Sequence, residues 1–221
     1  MTKERAERIL QILRKSFTKP KWISSRNDPF ETLIITIISQ NTADRNTARA
    51  FENLSKRFQI KPEILAKAET RQIEECLKVA GLYRNKAKTI KSASKIISEK
   101  FRGDINQILS LPLEEARKKL LQLPGVGPKT ADVVLLFCSK KPTIPVDTHI
   151  NRVARRLGLA PQVGDYEVVR GSLQLLYNQE DYLDVHILLI LLGRKYCRAK
   201  KPLCAQCVVN ALCPKILKSV N

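Results

Sequence analysis

The sequence contains no run of about 18 apolar residues, the least that a membrane-spanning helix requires. The candidate Ile187 to Leu192 is long enough only for part of a buried helix. Residues 1–7 are largely charged and lead directly into an amphipathic pattern, so the sequence predicts no signal peptide. We therefore expect a protein without a membrane segment that works in the cytoplasm, where thiols stay reduced.

Acidic residues are scarce. The chain has 21 Asp and Glu against 40 Lys and Arg, which gives a formal net charge of +19. The basic residues are spread along the chain, which predicts a folded cationic face rather than a disordered basic tail. This excess points to a polyanionic partner, either nucleic acid or an anionic membrane surface. A charge-rich thermophilic surface normally carries both signs in balance and fits less well.

Strand patterns are also missing, apart from one ambiguous run. The residues from Leu33 to Ile38 could form a buried strand on β-branching alone, but no second segment could pair with it. We therefore predict a buried helix there and an all-α protein with short connections. The stretch Lys140 to Pro145 is punctuated by two prolines and is the predicted crossing between two lobes.

The central motif is the stretch from Leu123 to Thr130, with helical periodicity on both sides. Gly125 and Gly127 allow a tight turn with positive φ, and Pro128 fits the first position of a helix. The pattern predicts a helix-hairpin-helix whose exposed N–H groups can bind a phosphate. Lys129 in the first turn is a phosphate contact by default. It is a nucleophile if its neutral amine is favoured by the helix N-terminus and a desolvated pocket.

Three further segments have a structural and a functional interpretation. The polar cluster Ser39 to Asp44 ends a very apolar element, and Thr42 or Asp44 is the predicted N-cap of the helix that follows. Gly81 is a predicted helix C-cap followed by an exposed apolar pair. Asp147 is predicted at the N-terminus of a helix, where its carboxylate could also stabilise developing positive charge.

Four cysteines form a C-x6-C-x2-C-x5-C array at the C-terminal end: Cys197, Cys204, Cys207 and Cys213. Four thiolates so close together need a metal to neutralise them, and their spacing suits zinc and an iron–sulfur cluster equally. The intervening Arg198, Lys200 and Lys201 form a cationic loop that can contact phosphates. The two histidines have no neighbours that complete a triad or a metal site, so both are predicted to be structural.

Taken in order, these motifs resemble those of the helix-hairpin-helix DNA glycosylases, in particular the endonuclease III family. The stretch Leu123 to Ala131 resembles that family's hairpin with its nucleophilic lysine. Val146 to Val153 resembles the segment with its catalytic aspartate. Gly81 to Tyr83 resembles the loop that wedges into the duplex. Ser39 to Asn41 resembles the loop that fills the gap from the other side of the duplex. The cysteine spacing resembles that of the family's 4Fe–4S cluster loop, which implies iron–sulfur rather than zinc.

The resemblance implies an all-α fold of two helical lobes with the DNA-binding cleft between them. One is a six-helix barrel lobe at 24–141 that contains the hairpin at 113–140. The other is an iron–sulfur lobe formed by 1–23 and 142–221, with the cluster loop at 197–213. The implied catalytic residues are Lys129 and Asp147. The implied cluster ligands are the four cysteines of the array. DNA contacts are implied for Gln40, Asn41, Leu82, Tyr83, Arg84, Gly125, Val126, Gly127, Thr130, Arg198, Lys200 and Lys201.

The implied activity is base excision repair of oxidised or otherwise damaged pyrimidines in duplex DNA, by a monomeric, nucleoid-associated glycosylase that also cuts abasic sites. Relatives that only remove a base carry serine or tyrosine where this chain has Lys129. The best-known bacterial enzymes have alanine and glutamine in place of Gln40 and Asn41, and a basic residue in place of Pro128. Two alternatives stay open: a glycosylase for G·U or G·T mismatches, and a non-enzymatic iron–sulfur DNA-binding module.

Overall fold

The computed structural model describes residues 2–20 and 28–216, and within them the chain is helical, with no β-strand. The predicted all-α fold is therefore confirmed. The same ranges also contain 3₁₀ turns at Gln179–Asp181, Cys204–Gln206 and Asn210–Leu212. The α-helices of the described residues are α1 Lys3–Ser16, α2 Pro29–Ser39, α3 Asp44–Arg57, α4 Pro62–Lys67, α5 Thr70–Leu77, α6 Tyr83–Lys100, α7 Asn106–Leu109, α8 Leu113–Leu121, α9 Pro128–Ser139, α10 Thr148–Arg156, α11 Tyr166–Leu176 and α12 Tyr182–Lys195.

The chain divides into two compact units. Ser24–Lys141 forms one, here called the central unit, and Met1–Ile23 with Pro142–Asn221 forms the other, the terminal unit. The expected boundary at residues 23 and 24 lies outside the described residues. No helix among the described residues is long and apolar enough to span a membrane.

In the central unit, α2 is the buried helix around which the others pack. Asp28 caps its N-terminus by accepting a hydrogen bond from the Glu31 N–H at 2.8 Å, and Pro29 occupies the first helical position. Leu33, Ile34, Ile37 and Ile38 are buried and Ile35 is half-buried, which explains the continuous apolar run. Helix α2 packs against α3, α6 and α9, so it lies directly under the hairpin and the start of α6.

In the terminal unit, α12 is the buried helix, and α1 and α10 pack against it. Ion pairs from Arg14 to Asp181 and Asp184, together with one from Lys19 to Asp184, join the C-terminal end of α1 to the N-terminal end of α12. Arg5 reaches the backbone carbonyls of Leu157 and Leu212, so α1 also supports the segment that carries the cysteines.

Candidate functional site

The hairpin turn lies between α8 and α9 and has the geometry that its glycines predict. Gly125 has a φ of +72°, whereas Gly127 is extended and stands at the N-cap position of α9. Val126 between them is buried, and its N–H donates to the Leu123 carbonyl. Pro128 takes the first helical position as expected. Among the described residues, no heavy atom lies within 4 Å of the place where a Cβ would stand at Gly127, so a ligand can approach this backbone closely.

The turn packs tightly against α6. A Cβ built on Gly125 would stand 2.2 Å from the Thr89 Cγ2 atom, which is far inside van der Waals contact. Only glycine fits here, because it combines positive φ with the absence of a side chain.

The two helices of the hairpin are joined by an ion pair that the sequence analysis missed. The Arg117 Nε atom on α8 donates to the Asp132 Oδ1 atom on α9 at 2.9 Å, and both side chains are buried. The available signal was Asp132 itself, a single acidic residue within an otherwise apolar helix. A carboxylate in such a position needs a cationic partner.

Lys129 is the second residue of α9 and is half-buried. The next residue, Thr130, is buried, and its hydroxyl accepts a hydrogen bond from the Gln40 side-chain amide at 3.3 Å. The same amide donates to the Gly125 carbonyl at 2.9 Å. Gln40 therefore ties the end of α2 to both sides of the hairpin turn.

The loop after α2 differs from the predicted cap. Ala43 stands at the N-cap position of α3, where no side chain caps the helix, so the assignment of Thr42 or Asp44 as N-cap is wrong. The Thr42 hydroxyl instead donates to the Gln40 carbonyl at 3.2 Å and accepts from Lys86. Asn41 is exposed and has a φ of +52°. Its side chain is thus presented to solvent, while that of Gln40 is engaged with the hairpin.

The turn before α6 also differs from expectation. Gly81 does not have positive φ, so its predicted role as a left-handed C-cap is wrong. Leu82 takes that conformation instead, with φ of +58°, and 61% of its surface is exposed. Tyr83 opens α6, and the Arg84 guanidinium carbon lies 5.6 Å from the centre of the Tyr83 ring. The turn therefore projects an apolar side chain into solvent beside a cationic one.

Asp147 caps α10 in the terminal unit, as predicted. Its Oδ1 atom accepts a hydrogen bond from the Ile150 N–H at 2.8 Å, and the side chain is half-buried. Two arginines further along α10 reach the first cysteine segment. Arg152 donates to the Cys197 carbonyl at 2.8 Å, and Arg156 donates to the Arg198 carbonyl at 2.7 Å. One short helix thus carries the carboxylate at one end and supports the cysteine loop at the other.

The four cysteines of the array line one small pocket, which is partly open to solvent. Burial raises the pKa of the Cys207 and Cys213 thiols. Within the described residues, no three histidine, cysteine or carboxylate side chains converge on a point that one metal ion could occupy.

The basic residues between the first two cysteines are exposed: Arg198, Lys200 and Lys201. Their backbone is held from within, because Arg156 also donates to the Ala199 carbonyl at 3.1 Å. Lys201 has a φ of +48°, which marks a sharp bend in this loop. Both histidines contact other groups of the terminal unit: the His149 Nδ1 atom lies 3.1 Å from Arg152, and the His186 Nδ1 atom lies 2.8 Å from the Pro145 carbonyl.

Comparisons with known proteins extend over nearly the whole chain. Residues 34–179 match the HhH-GPD superfamily of base excision DNA repair proteins. The chain is 33% identical to endonuclease III of Sulfolobus acidocaldarius, over 96% of its own length and 93% of the relative's. It is 34% identical to endonuclease III of Escherichia coli over 96% of each chain. A solved structure of a trapped endonuclease III–DNA covalent intermediate matches with a TM-score of 0.85 at 30% identity, covering 97% of both chains.

Proposed function

Because the chain belongs to the endonuclease III family of the HhH-GPD superfamily, we propose that it is a base-excision DNA glycosylase with AP lyase activity. Its proposed substrate is duplex DNA containing oxidised or damaged pyrimidines, or abasic sites, on which it acts as a monomer. The observation that carries this proposal is the position of Lys129, half-buried in the first turn of α9 beside the glycine turn of the hairpin.

Duplex binding begins with the charge of the protein. A net charge of +19 attracts DNA from solution, and the N–H groups at the start of α9 are suited to a backbone phosphate. The exposed side chains of Arg198, Lys200 and Lys201 add further phosphate contacts. These contacts position the protein on the duplex without reading its sequence.

Base extrusion follows, because a base within the stack is out of reach of any side chain. Unstacking costs a few kcal/mol, and the cost is smaller for a damaged pair. Leu82 is suited to enter the gap, since it is apolar, exposed and carried on a sharp turn. Asn41, whose side chain is exposed, is suited to meet the opposite strand.

Lys129 then attacks the sugar at C1′. The Nζ–C1′ bond forms as the glycosidic bond breaks, and the bonding electrons leave with the base, which takes up a proton. The amine then loses a proton and the C1′–O4′ bond breaks, with O4′ taking up a proton, so that the open-chain sugar is joined to Lys129 as a Schiff base. This Schiff base makes the C2′ proton acidic. Its removal expels the 3′ phosphate by β-elimination and cuts the strand on the 3′ side of the lesion. Asp147 stabilises the positive charge that develops on the sugar while the base departs.

The four cysteines fit a 4Fe–4S cluster, since they line one pocket and such a cluster takes four thiolate ligands. When bound, such a cluster supplies a rigid crosslink among four points of the chain. Arg152 and Arg156 of α10 donate to the backbone carbonyls of the first cysteine and of the two residues after it, so the same helix supports the basic loop at 198–201.

Borohydride trapping tests the nucleophile. We expect the wild type to form a covalent adduct with damaged duplex and Lys129→Ala to form none, because reduction captures only a Schiff base. Lys119→Ala, which removes an exposed lysine of α8, is the matched control and should be trapped like the wild type. A wild type that forms no adduct, or an adduct that survives in Lys129→Ala, would contradict the mechanism.

A panel of duplexes tests the substrate class. Thymine glycol, dihydrouracil, uracil opposite guanine and thymine opposite guanine are compared under single-turnover conditions. Faster excision of the two oxidised or reduced pyrimidines supports the proposed preference. Faster excision of the mismatched bases would instead identify a mismatch glycosylase that retains lysine, and binding without any excision would identify a DNA-binding module.

A further inference from the structure

Lys86 lies in the first turn of α6, one turn after the exposed Leu82, yet only 4% of its surface is exposed. Its Nζ atom donates to the Ile38 carbonyl at 2.8 Å and to the Thr42 hydroxyl at 2.5 Å. Both acceptors belong to the end of α2 and the loop that follows it. A side chain of α6 therefore reaches across to the segment that carries Gln40 and Asn41.

The energetic setting of this lysine is unusual. Within the described residues it makes no ion pair, and burial lowers the pKa of its ammonium group. Removing a charge from water without a counter-ion is costly, and lysines are almost never buried unless they are paired. The compensation comes from the C-terminal end of α2, which has no basic residue in its own last turn. Its carbonyl groups and dipole favour a cation at this place.

Both segments joined by Lys86 contain a residue with left-handed backbone. Asn41 has a φ of +52° and Leu82 a φ of +58°, although neither is glycine. Asparagine adopts this conformation more readily than most residues, whereas in leucine it is unfavourable and persists only where its surroundings hold it. The segments also meet directly, since a Cβ built on Gly81 would lie 3.5 Å from the Asn41 carbonyl oxygen.

The loop is fixed on its other side as well. The Gln40 amide donates to the Gly125 carbonyl of the hairpin turn at 2.9 Å. Side-chain hydrogen bonds thus join the hairpin to the loop at residues 39–42, and that loop to the first turn of α6, which follows Leu82 directly. Lys86 provides the second of these links.

We propose that Lys86 is a positioning residue for base extrusion. Its ammonium group holds the loop at residues 39–42 against the turn at residues 81 and 82. The residue that enters the stack and the residue that meets the opposite strand therefore move into the duplex as one rigid unit. This inference rests on the proposed function, because it assigns a role in the same reaction.

The central test replaces the lysine by methionine, which keeps the length and apolar stem of the side chain but donates no hydrogen bond. Lys88→Met, two residues further along the same helix and exposed, is the matched control. Two rates are measured under single-turnover conditions, base excision from a lesion duplex and cleavage of a preformed abasic duplex. Abasic DNA has no base to extrude, so a positioning role predicts unequal losses.

We expect Lys86→Met to slow excision by more than it slows abasic cleavage, with a difference of about tenfold or more, since small misplacements of a positioned group cost this much. Lys88→Met should change neither rate beyond about twofold, as is usual for an exposed residue outside the site. Equal losses in both reactions, or no loss in either, would overturn the proposal. A wild type that cuts neither duplex contradicts the proposed function instead, so the two failures are distinguishable.

A second variant covers the case in which Lys86→Met does not fold. Thr42→Val removes one acceptor of the ammonium group at nearly constant volume and leaves the Ile38 carbonyl in place. We expect Thr42→Val, like Lys86→Met, to slow excision more than abasic cleavage, but with a smaller difference between the two rates. The fluorescence of 2-aminopurine placed next to the lesion base, measured in a Lys129→Ala background, reports base extrusion without chemistry. That signal should fall with Thr42→Val, and an unchanged signal would count against the proposal.

Discussion

The guanidinium group of Arg117 on α8 donates to both carboxylate oxygens of Asp132 on α9, at 2.9 and 3.4 Å. Asp132 is fully buried and Arg117 is 8% exposed, so water contributes little to the solvation of either charge. The pair joins the two helices that the turn connects, and Asp132 follows Lys129 by three residues on α9.

Removing one partner of this pair should be costly. We expect Arg117→Leu to lower the free energy of unfolding by about 3–5 kcal/mol, because the buried carboxylate of Asp132 loses its guanidinium partner. The double variant Arg117→Leu with Asp132→Leu should recover much of that loss. Urea denaturation measures both, with Lys118→Leu as the exposed control on the same helix. The single variant Asp132→Leu completes the comparison. If the double variant loses as much free energy of unfolding as the two single variants together, the two charges are not coupled.

The carboxylate of Asp147 should be needed for its charge and not for its helix cap. Asparagine is as good an N-cap as aspartate, so Asp147→Asn should keep the hydrogen bond to the Ile150 N–H and leave the melting temperature nearly unchanged. Excision should slow by about 10²-fold or more. Asp165→Asn is the matched control, because Asp165 caps α11 in the same way at an exposed position. If both variants slow excision equally, the charge of Asp147 has no special role.

The cysteine array should bind iron. We expect the purified protein to be yellow-brown and to contain iron and acid-labile sulfide, and Cys204→Ser to lose most of both, because one ligand of the cluster is removed. Cys138→Ser, which changes a cysteine packed against the core of the central unit, should retain them. Elemental analysis decides the matter. A colourless protein that contains zinc instead would contradict the cluster assignment.

The ion pairs at the end of α1 should make stability depend on pH in the acidic range. Burial disfavours the charged form of Asp184, but hydrogen bonds from Lys19 and Arg14 outweigh it and lower the pKa of that carboxyl. Its stabilising contribution is therefore complete above the ordinary aspartate pKa of about 3.9 and is lost as the pH falls through the lower folded value. Urea denaturation curves at decreasing pH should show that the free energy of unfolding of the wild type falls toward that of Asp184→Asn below the ordinary aspartate pKa. Glu180→Gln, at an exposed position, controls for the loss of one carboxylate. If the wild type stays more stable than Asp184→Asn at the lowest pH, the ion pairs of Asp184 are not the source of the difference.

Local signals were sufficient for the helical framework. Periodicity predicted the helices on both sides of the hairpin, Pro128 marked the start of α9, and Asp147 marked the start of α10; the structure confirms all of these. Such features depend on residues within one or two turns of each other, so the sequence contains the whole pattern.

Features that depend on distant partners were not predicted. Thr42 was expected to cap α3, but its hydroxyl is used by Lys86, which lies 44 residues further along the chain. Gly81 was expected to take the left-handed conformation that the structure gives to Leu82. Propensity alone favours glycine at such a position, and tertiary packing overrides it. The Arg117–Asp132 pair likewise joins residues that no local pattern connects.

The contact of Gly125 with Thr89 limits how this protein can diverge. Any side chain at position 125 would meet the Thr89 methyl group and would also have to tolerate positive φ. Loss of that methyl group by change to serine would relieve the first constraint and leave the second. A smaller residue at position 89 would therefore remove the steric constraint on position 125, but the positive φ would still favour glycine there. Substitutions that change the length or the charge of the surrounding helices leave both constraints in place, so glycine is still required at position 125.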